Sequence, residues 1–373
     1  MDDFNFLGIK DDFVKGLNDL GIIKPTSIQQ QVIPLLLRGN SDLIAQAQTG
    51  TGKTASFGLP LLHKIDHNRK DVQALILCPT RELVQQVAKQ LFKFTKYSDK
   101  IFVEAVYGGS QIDKQIKNLA RTTHIVVATP GRLIDLVKRK ALTLNKVKTV
   151  ILDEADEMLS MGFKKELDEI LSFLTEAENK WLFSATIPDG IKQIVNNHMN
   201  INAHRIQVNS SNIVNEKIEH KFVLCDDVEK FSILIQFLKS VEGKRGIIFC
   251  RTRNEARKLA SELIAKNIAS DAIHGDLLQK ERDKVMRAFK KNKLSNIVAT
   301  DIAARGIDIP DLTYVVHYKL PDQDEYYTHR SGRTARAGKK GVSLVLANNY
   351  EIKKIRKYEK YLRISFLKVK ALS

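Results

Sequence analysis

The sequence has few cysteines and no long apolar run. Its three cysteines, Cys78, Cys225 and Cys250, lie far apart without the paired spacing of metal ligands. The sequence therefore indicates neither a disulfide framework nor a zinc site, and it fits a reducing compartment. Residues 1–10 lack the basic start and apolar stretch of a secretory signal, and no apolar run approaches the length of a membrane span. We expect a cytoplasmic protein with no membrane partner.

Basic residues outnumber acidic ones. The 373 residues include 60 Lys plus Arg and 43 Asp plus Glu, which gives a formal net charge of +17. This charge suits a polyanionic partner whose phosphates release counterions, but a solubilising surface explains it equally well. The length and the hydrophobic content of 43% favour two domains.

Short apolar segments alternate with longer helical patterns in two successive series. The first series has strand candidates at 42–47, 74–78, 124–128, 149–152 and 181–183. The second has candidates at 221–225, 245–250, 270–273, 296–300, 314–318 and 341–347. This alternation predicts a parallel sheet flanked by helices in each half. An Asn- and Ser-rich segment separates the series, so we predict domains at 1–207 and 217–373, joined by a linker at 208–216.

A phosphate-binding loop follows the first strand candidate. It consists of Ala47, Gln48, Thr49, Gly50, Thr51, Gly52, Lys53 and Thr54. Small residues let backbone N–H groups wrap phosphate oxygens, and the next helix directs its positive end at them. Lys53 can reach the β and γ phosphates, and the Thr54 hydroxyl can bind Mg²⁺. The alternative is a glycine-rich turn without a ligand, which the strand–loop–helix context disfavours.

An acidic cluster ends the strand candidate at 149–152. Ligands of open parallel sheets bind where the strands end. Asp153 is therefore placed to bind Mg²⁺, and Glu154 to orient or deprotonate an attacking water, with Asp156 beside them. An acidic helix start is the alternative interpretation when this segment is taken alone.

Three arginines recur at a spacing of three residues near the end of the second series. Arg330, Arg333 and Arg336 lie in what reads as a short helix, on one face of it. Their guanidinium groups would repel one another unless they faced anions, and arginine can stabilise charge on a transferring phosphoryl group. A solvated basic helix is the alternative.

Together these motifs resemble the DEAD-box family of ATP-dependent RNA helicases, which is named after the residues found here at 153–156. The resemblance covers nearly the whole chain and implies two tandem RecA-like domains with ATP and Mg²⁺ as cofactors. Segment 21–29 resembles the adenine-reading motif of the family, in which Gln29 would contact the adenine edge. The family's stacking aromatic corresponds by spacing to Phe4, with Phe6 as the second candidate.

The resemblance also implies RNA contacts and roles that couple the two domains. Relatives commonly carry an aliphatic residue at position 331 and Gly at position 335, where Ser331 and Ala335 stand here. Arg333 and Arg336 would act as arginine fingers, His329 would link to the Asp153 cluster, and Asp308 would contact ATP. The implied coupling residues are Ser184, Thr186, Asp156 and Arg305. The implied RNA contacts are Pro79, Thr80, Arg81, Gly108, Gly109, Thr129, Arg132, Gln279, Arg282, Thr300 and Gly306.

The sequence thus predicts a monomeric RNA-stimulated ATPase that binds RNA across two domains, separates short duplexes or remodels RNA–protein complexes, and releases RNA after hydrolysis. RNA would be held by its backbone with little sequence specificity. Two alternatives stay open: an ATP-gated RNA clamp that separates few base pairs, and a DNA translocase.

Overall fold

The computed structural model describes residues 3–48, 50–174, 176–208, 217–304, 312–322, 324–335 and 339–370. The chain divides into two compact units, 1–208 and 209–373, and each is described by itself. The predicted linker falls almost entirely outside the described residues. Within the described ranges, no helix is both long and apolar enough to cross a bilayer.

Unit 1 contains a parallel sheet with helices on both faces. Its strands are β1 Leu43–Gln46, β2 Ala74–Leu77, β3 Val103–Val106, β4 Ile125–Ala128, β5 Thr149–Asp153, β6 Asn179–Ser184 and β7 His204–Gln207. Its helices are α1 Asp11–Asn18, α2 Ser27–Arg38, α3 Lys53–Lys64, α4 Arg81–Phe94, α5 Ile112–Leu119, α6 Pro130–Lys138, α7 Ala155–Ser160, α8 Lys164–Phe173 and α9 Asp189–His198, after a 3₁₀ turn at Asn5–Leu7. The strand order is β3-β4-β2-β5-β6-β1-β7.

Unit 2 repeats this plan. Its strands are β8 Ile218–Leu224, β9 Gly246–Cys250, β10 Ser270–Ile273, β11 Asn296–Thr300, β12 Tyr314–His317, β13 Gly341–Ala347 and β14 Phe366–Lys368. Its helices are α10 Lys230–Ser240, α11 Arg253–Ala265, α12 Gln279–Lys290, α13 Asp301–Ala304, α14 Glu325–Ser331 and α15 Ile352–Leu362. The strand order is β10-β11-β9-β12-β13-β8-β14. The predicted fold class, two parallel sheets flanked by helices, is confirmed.

Each sheet is buried on both faces, because successive strand residues enter different apolar clusters. In β2, Ile76 packs into one cluster with residues of α3 and α4, whereas Leu75 and Leu77 pack into another with residues of α6 and α8. In β9, Ile248 and Phe249 divide between two clusters in the same way. Nearly continuous apolar strands are typical of parallel sheets with this double coverage. Because the strands of each sheet are parallel, the loops that follow them lie at one edge of that sheet.

Candidate nucleotide and RNA site

The phosphate loop connects β1 to α3 in unit 1. Gly52 caps the amino end of α3 with a φ of +93°, a left-handed conformation that favours glycine. A side chain at this position would also collide with the Gln29 amide. Loop residue Ala47 is buried and donates its N–H to the Ser184 carbonyl at 2.9 Å. Thr49 lies outside the described residues.

The Gln29 side chain connects the segment before α2 to this loop. Its Oε1 accepts the Thr26 N–H at 2.8 Å, and its Nε2 donates to the Gly52 carbonyl at 3.1 Å. Thr26 Oγ1 also donates to the Thr51 carbonyl at 2.8 Å. The amide still has a second N–H hydrogen and a second lone pair on oxygen. Gln29 thus holds the loop in shape, and its contact with a base stays a prediction.

The two candidate aromatics differ sharply in exposure. Phe4 is 1% exposed and packs into the core beside α1 and α2, whereas Phe6 is 75% exposed. A ring that stacks on a base needs one open face. In the described structure Phe6 offers such a face, and the Phe4 ring would first have to be uncovered.

Lys53 and Asp153 bring opposite charges to the carboxyl edge of the sheet. Both side chains are buried, and neither Lys53 Nζ nor Asp153 Oδ1 has a hydrogen-bond partner within the described residues. Burial raises the pKa of Asp153 to about 7, Lys53 opposes this rise, and the Glu154 charge adds to it. Buried polar groups are normally paired. This arrangement therefore fits a phosphate group near Lys53 and a cation near Asp153.

Glu154 follows β5 in a left-handed conformation, with φ at +52°. Such a backbone is uncommon for a residue other than glycine and is found where a side chain must be directed into a site. Glu154 lies between Asp153, which ends β5, and the first turn of α7.

Asp156 links the acidic cluster to the loop after β6. Its Oδ2 accepts the Thr186 N–H and the Thr186 hydroxyl, each at 2.8 Å. Ser184 Oγ accepts the Asp156 N–H at 3.2 Å and donates to the Thr186 carbonyl at 2.6 Å. Hydrogen bonds therefore connect the segment after β5 to the end of β6 and the loop that follows it.

The implied RNA contacts of unit 1 follow three neighbouring strands. Pro79 and Thr80 follow β2, Gly108 and Gly109 follow β3, and Thr129 follows β4. Thr80 caps α4, where its hydroxyl accepts the Leu83 N–H at 3.3 Å. These strands occupy one side of the sheet, and the strands that carry the nucleotide loops occupy the other.

Two arginines join these three loops. The Arg81 guanidinium lies close to Gly109, where φ is +79°: a Cβ atom at this position would be only 2.7 Å from it. The Arg132 guanidinium donates to the Ser110 carbonyl at 3.1 Å and to Gln115 Oε1 at 2.8 Å. Sequence reasoning missed Gln115, a buried residue of α5 that also donates to the Tyr107 carbonyl at 3.1 Å. No local motif marks this residue.

In unit 2, the arginine segment differs from the prediction. Helix α14 ends at Ser331, so the expectation of three arginines on one helical face is wrong: Arg333 lies in the turn that follows. Arg330 is buried and forms two hydrogen bonds with Asp301, at 2.5 and 2.7 Å. The anion that Arg330 faces is thus a carboxylate of the protein. Arg336 lies outside the described residues.

The other candidates of unit 2 lie on three elements. Thr300 ends β11, and His329 is a half-buried residue of α14. On α12, Gln279 donates to Asp283 at 2.6 Å, and Arg282 donates to the Ala303 carbonyl at 2.6 Å. Arg305, Gly306 and Asp308 lie outside the described residues.

Comparisons with known proteins agree with these motifs. A family profile described as DEAD/DEAH box helicase matches residues 26–194, and one described as helicase conserved C-terminal domain matches 229–338. The chain is 44% identical over 352 residues to the ATP-dependent RNA helicase CshA of Listeria monocytogenes, covering 94% of this chain and 67% of that protein. The chain belongs to the DEAD-box family of ATP-dependent RNA helicases.

Other DEAD-box proteins support this assignment. The chain is 40% identical over 357 residues to the DEAD-box ATP-dependent RNA helicase RhpA of Helicobacter pylori, covering 96% of this chain and 72% of that protein. The structure of Saccharomyces cerevisiae Dbp5 bound to RNA and ADP BeF3 superposes with a TM-score of 0.92 at 31% identity, covering 100% of this chain and 96% of that one. The chain therefore has the tandem RecA-like architecture of DEAD-box helicases. Ala335, at the position where we expect Gly in relatives, has a φ of +57°, in the left-handed region that favours glycine.

Proposed function

We propose that this DEAD-box ATPase binds ATP and Mg²⁺ at the carboxyl edge of unit 1 and couples ATP hydrolysis to local RNA remodelling. The observation that carries this proposal is a pair of buried atoms beside the phosphate loop, Lys53 Nζ and Asp153 Oδ1, for which the described part of the chain provides no hydrogen-bond partner. A buried polar atom without a hydrogen-bond partner is costly unless a ligand pairs with it.

In this proposal, Thr54 and Asp153 hold the metal ion, which when bound neutralises phosphate charge. Lys53 contacts the β and γ phosphates, and the N–H groups of the loop surround them. Glu154, held by its left-handed backbone, orients the attacking water and accepts its proton. Gln29 and one of the two aromatics, Phe4 or Phe6, contact the adenine.

Unit 2 would complete this site. Arg333 and Arg336 would stabilise charge on the transferring phosphoryl group, with His329, Arg305 and Asp308 as further contacts. RNA held by both units would favour closure, and by thermodynamic reciprocity ATP would then tighten RNA binding. Loss of the γ phosphate would release the RNA. We further propose that the protein acts as a monomer in the cytoplasm.

A strand-displacement assay on a short RNA duplex tests this function. The wild-type chain should separate the strands in the presence of ATP, and RNA should raise its ATP turnover. Glu154→Gln removes the base but keeps the shape of the side chain, so turnover should fall by about 10²- to 10⁴-fold. Glu176→Gln, an exposed change in the same unit, serves as the control.

Two outcomes would contradict the proposal. RNA-stimulated ATP turnover without strand displacement would identify an ATP-gated clamp. Equal stimulation by RNA and by DNA of matched sequence would identify a translocase that does not recognise the 2′-hydroxyl.

A further inference from the structure

Unit 1 contains a groove at the amino end of its sheet, with a volume of about 1200 Å³. The groove is bounded by the ends of α1 and α4, the segment that leads into β3, and the turn after α5. Phe102 and Thr123 line it and precede β3 and β4, whereas Gly109 and Thr129 follow the same two strands. Because the strands are parallel, the groove lies at the opposite end from the RNA and nucleotide loops.

One wall of this groove is the outer edge of β3, which ends the strand order in the described sheet. The Phe102 carbonyl accepts the Ile125 N–H at 3.1 Å, and the Val106 carbonyl accepts the Thr129 N–H at 3.0 Å. Bonded residues alternate along a parallel strand, so the main-chain groups of Val103 and Ala105 are directed away from β4. An edge of this kind can receive the backbone of an added extended segment.

Two large aromatic side chains are exposed in the groove. Phe92, near the end of α4, is 71% exposed, and Phe102 is 46% exposed. Exposed aromatic rings beside a concavity are typical anchor points for a protein partner.

The uncompensated charge of the groove is positive. Lys93, Lys100 and Arg121 line it and are exposed, and within the described residues none of the three forms an ion pair. Complementary charge sets the choice of partner more than it adds affinity. An acidic partner is therefore favoured over a neutral or basic one.

The two carboxylates of the groove already have partners. Asp19 pairs with Lys96 and accepts the Tyr97 hydroxyl at 2.9 Å, and Glu104 accepts the Asn118 amide at 2.9 Å. RNA has no row of amide and carbonyl groups with the spacing of a strand to pair with an open sheet edge. A peptide can instead bond the main-chain groups of Val103 and Ala105 that are directed away from β4.

We propose that this β3 groove binds an extended acidic peptide segment of a partner protein. The segment adds to β3 as an outer strand, places an apolar side chain against Phe92 and Phe102, and directs its carboxylates at Lys93, Lys100 and Arg121. Because the groove lies away from the motif loops, binding leaves the nucleotide and RNA loops of unit 1 accessible.

The test begins with a phage-displayed library of random peptides about twelve residues long, enough for one strand and its flanks. The library is panned against the full chain and depleted on the variant Lys93→Glu/Arg121→Glu. Selected peptides should alternate acidic and apolar residues. A synthetic selected peptide should bind the wild-type chain and bind the variant about tenfold or more weakly. Hydrogen exchange at the Val103 and Ala105 amides should slow when the peptide binds.

The control variant Lys146→Glu/Lys165→Glu makes the same charge change at exposed lysines elsewhere in unit 1. It should bind the peptide like the wild-type chain, and both variants should keep RNA-stimulated ATP turnover. The proposal is overturned if panning yields no peptides that distinguish the groove variant, or if those peptides are basic. It is also overturned if the groove variant, unlike the control, loses affinity for oligouridine, because RNA would then be the occupant.

Discussion

At the scale of single residues, Glu154 combines a strained backbone with the chemistry proposed for it. Its left-handed conformation costs about 1–3 kcal/mol for a residue other than glycine. Replacement by glycine relieves this strain and removes the carboxylate at the same time.

Glu154→Gly should therefore raise the thermal stability of unit 1 while lowering ATP turnover by about 10²-fold or more. Thermal denaturation and an ATPase assay measure the two effects. Lys140→Gly is the matched control, because Lys140 is also left-handed, with φ at +58°, and is exposed. It should gain similar stability with no loss of turnover. A Glu154→Gly variant that loses both stability and turnover would show that the backbone is not strained.

The Thr186 hydroxyl offers a second test at this scale. Thr186→Val keeps the shape of the side chain but removes its hydrogen bond to Asp156. We expect a loss of about 1 kcal/mol in stability and a fall in base pairs separated per ATP hydrolysed. Thr186→Ser, which keeps the hydroxyl, should behave like the wild-type chain. If turnover and displacement fall in equal proportion, the hydroxyl serves hydrolysis alone and does not couple it to RNA.

At the scale of elements, the bond between Arg330 and Asp301 fixes α14 against α13. Arg330 also donates to the Lys319 carbonyl at 2.7 Å and lies over the Phe249 ring. This buried guanidinium therefore connects two helices, the end of β9 and the segment after β12.

Arg330→Met should destabilise unit 2 by about 3–5 kcal/mol, because it leaves the Asp301 carboxylate without its cation. Denaturant-dependent hydrogen exchange at β11 and β12 measures this loss. Arg356→Met is the control, since Arg356 is exposed on α15 and its pair with Glu359 is worth little. Equal protection in the two variants would mean that the buried pair contributes no net stability.

The central strands and one edge strand, β10, could be predicted from the sequence, whereas the edge strands β3, β7 and β14 could not. The predicted segments at 270–273, 296–300 and 341–347 coincide with β10, β11 and β13. The missed strands β3, β7 and β14 contain charged residues such as Glu104, Arg205 and Lys368, because an outer strand is only partly covered. An apolar run marks a strand buried on both faces and does not mark a half-exposed one.

Prediction of the functional site from the sequence was limited in a similar way. The phosphate loop and the acidic cluster were predictable because each is a contiguous motif next to an apolar strand. The partner of Arg330 was not predictable, because Asp301 lies 29 residues away and only the packing of α13 against α14 brings them together. Gln115, which holds Arg132, was missed for the same reason.

At the scale of the whole molecule, unit 2 contains a buried polar network that should make the protein sensitive to acid. His220 Nδ1 bonds the Tyr327 hydroxyl at 2.5 Å, and His317 lies 3.1 Å from the Ser343 hydroxyl. Burial lowers the pKa of His220 to about 4. Burial, with the charges of Arg330 and His220, lowers the pKa of His317 well below its ordinary value.

Both histidines bind protons more readily in the unfolded chain than in the folded one. The contribution of His220 to stability is therefore complete above about pH 6.5 and is lost as the pH falls toward 4, on the order of 3 kcal/mol. The contribution of His317 is lost in the same direction. Denaturation of unit 2 followed between pH 7.5 and about pH 4.5 should show this loss. His220→Gln should flatten the curve, and an unchanged curve would assign the acid sensitivity to other groups.

The strand order of unit 1 has a consequence during protein synthesis. In the described part of unit 1, strand β1, which leads into the phosphate loop, pairs with β6 and β7, and these are the last two of its strands to leave the ribosome. Roughly 140 residues separate β1 from the end of β6, which corresponds to about 7–30 s of translation. During that interval the nascent chain has a phosphate loop without the sheet that supports it. Nucleotide bound at the proposed site can therefore stabilise unit 1 only after the unit is almost fully synthesised.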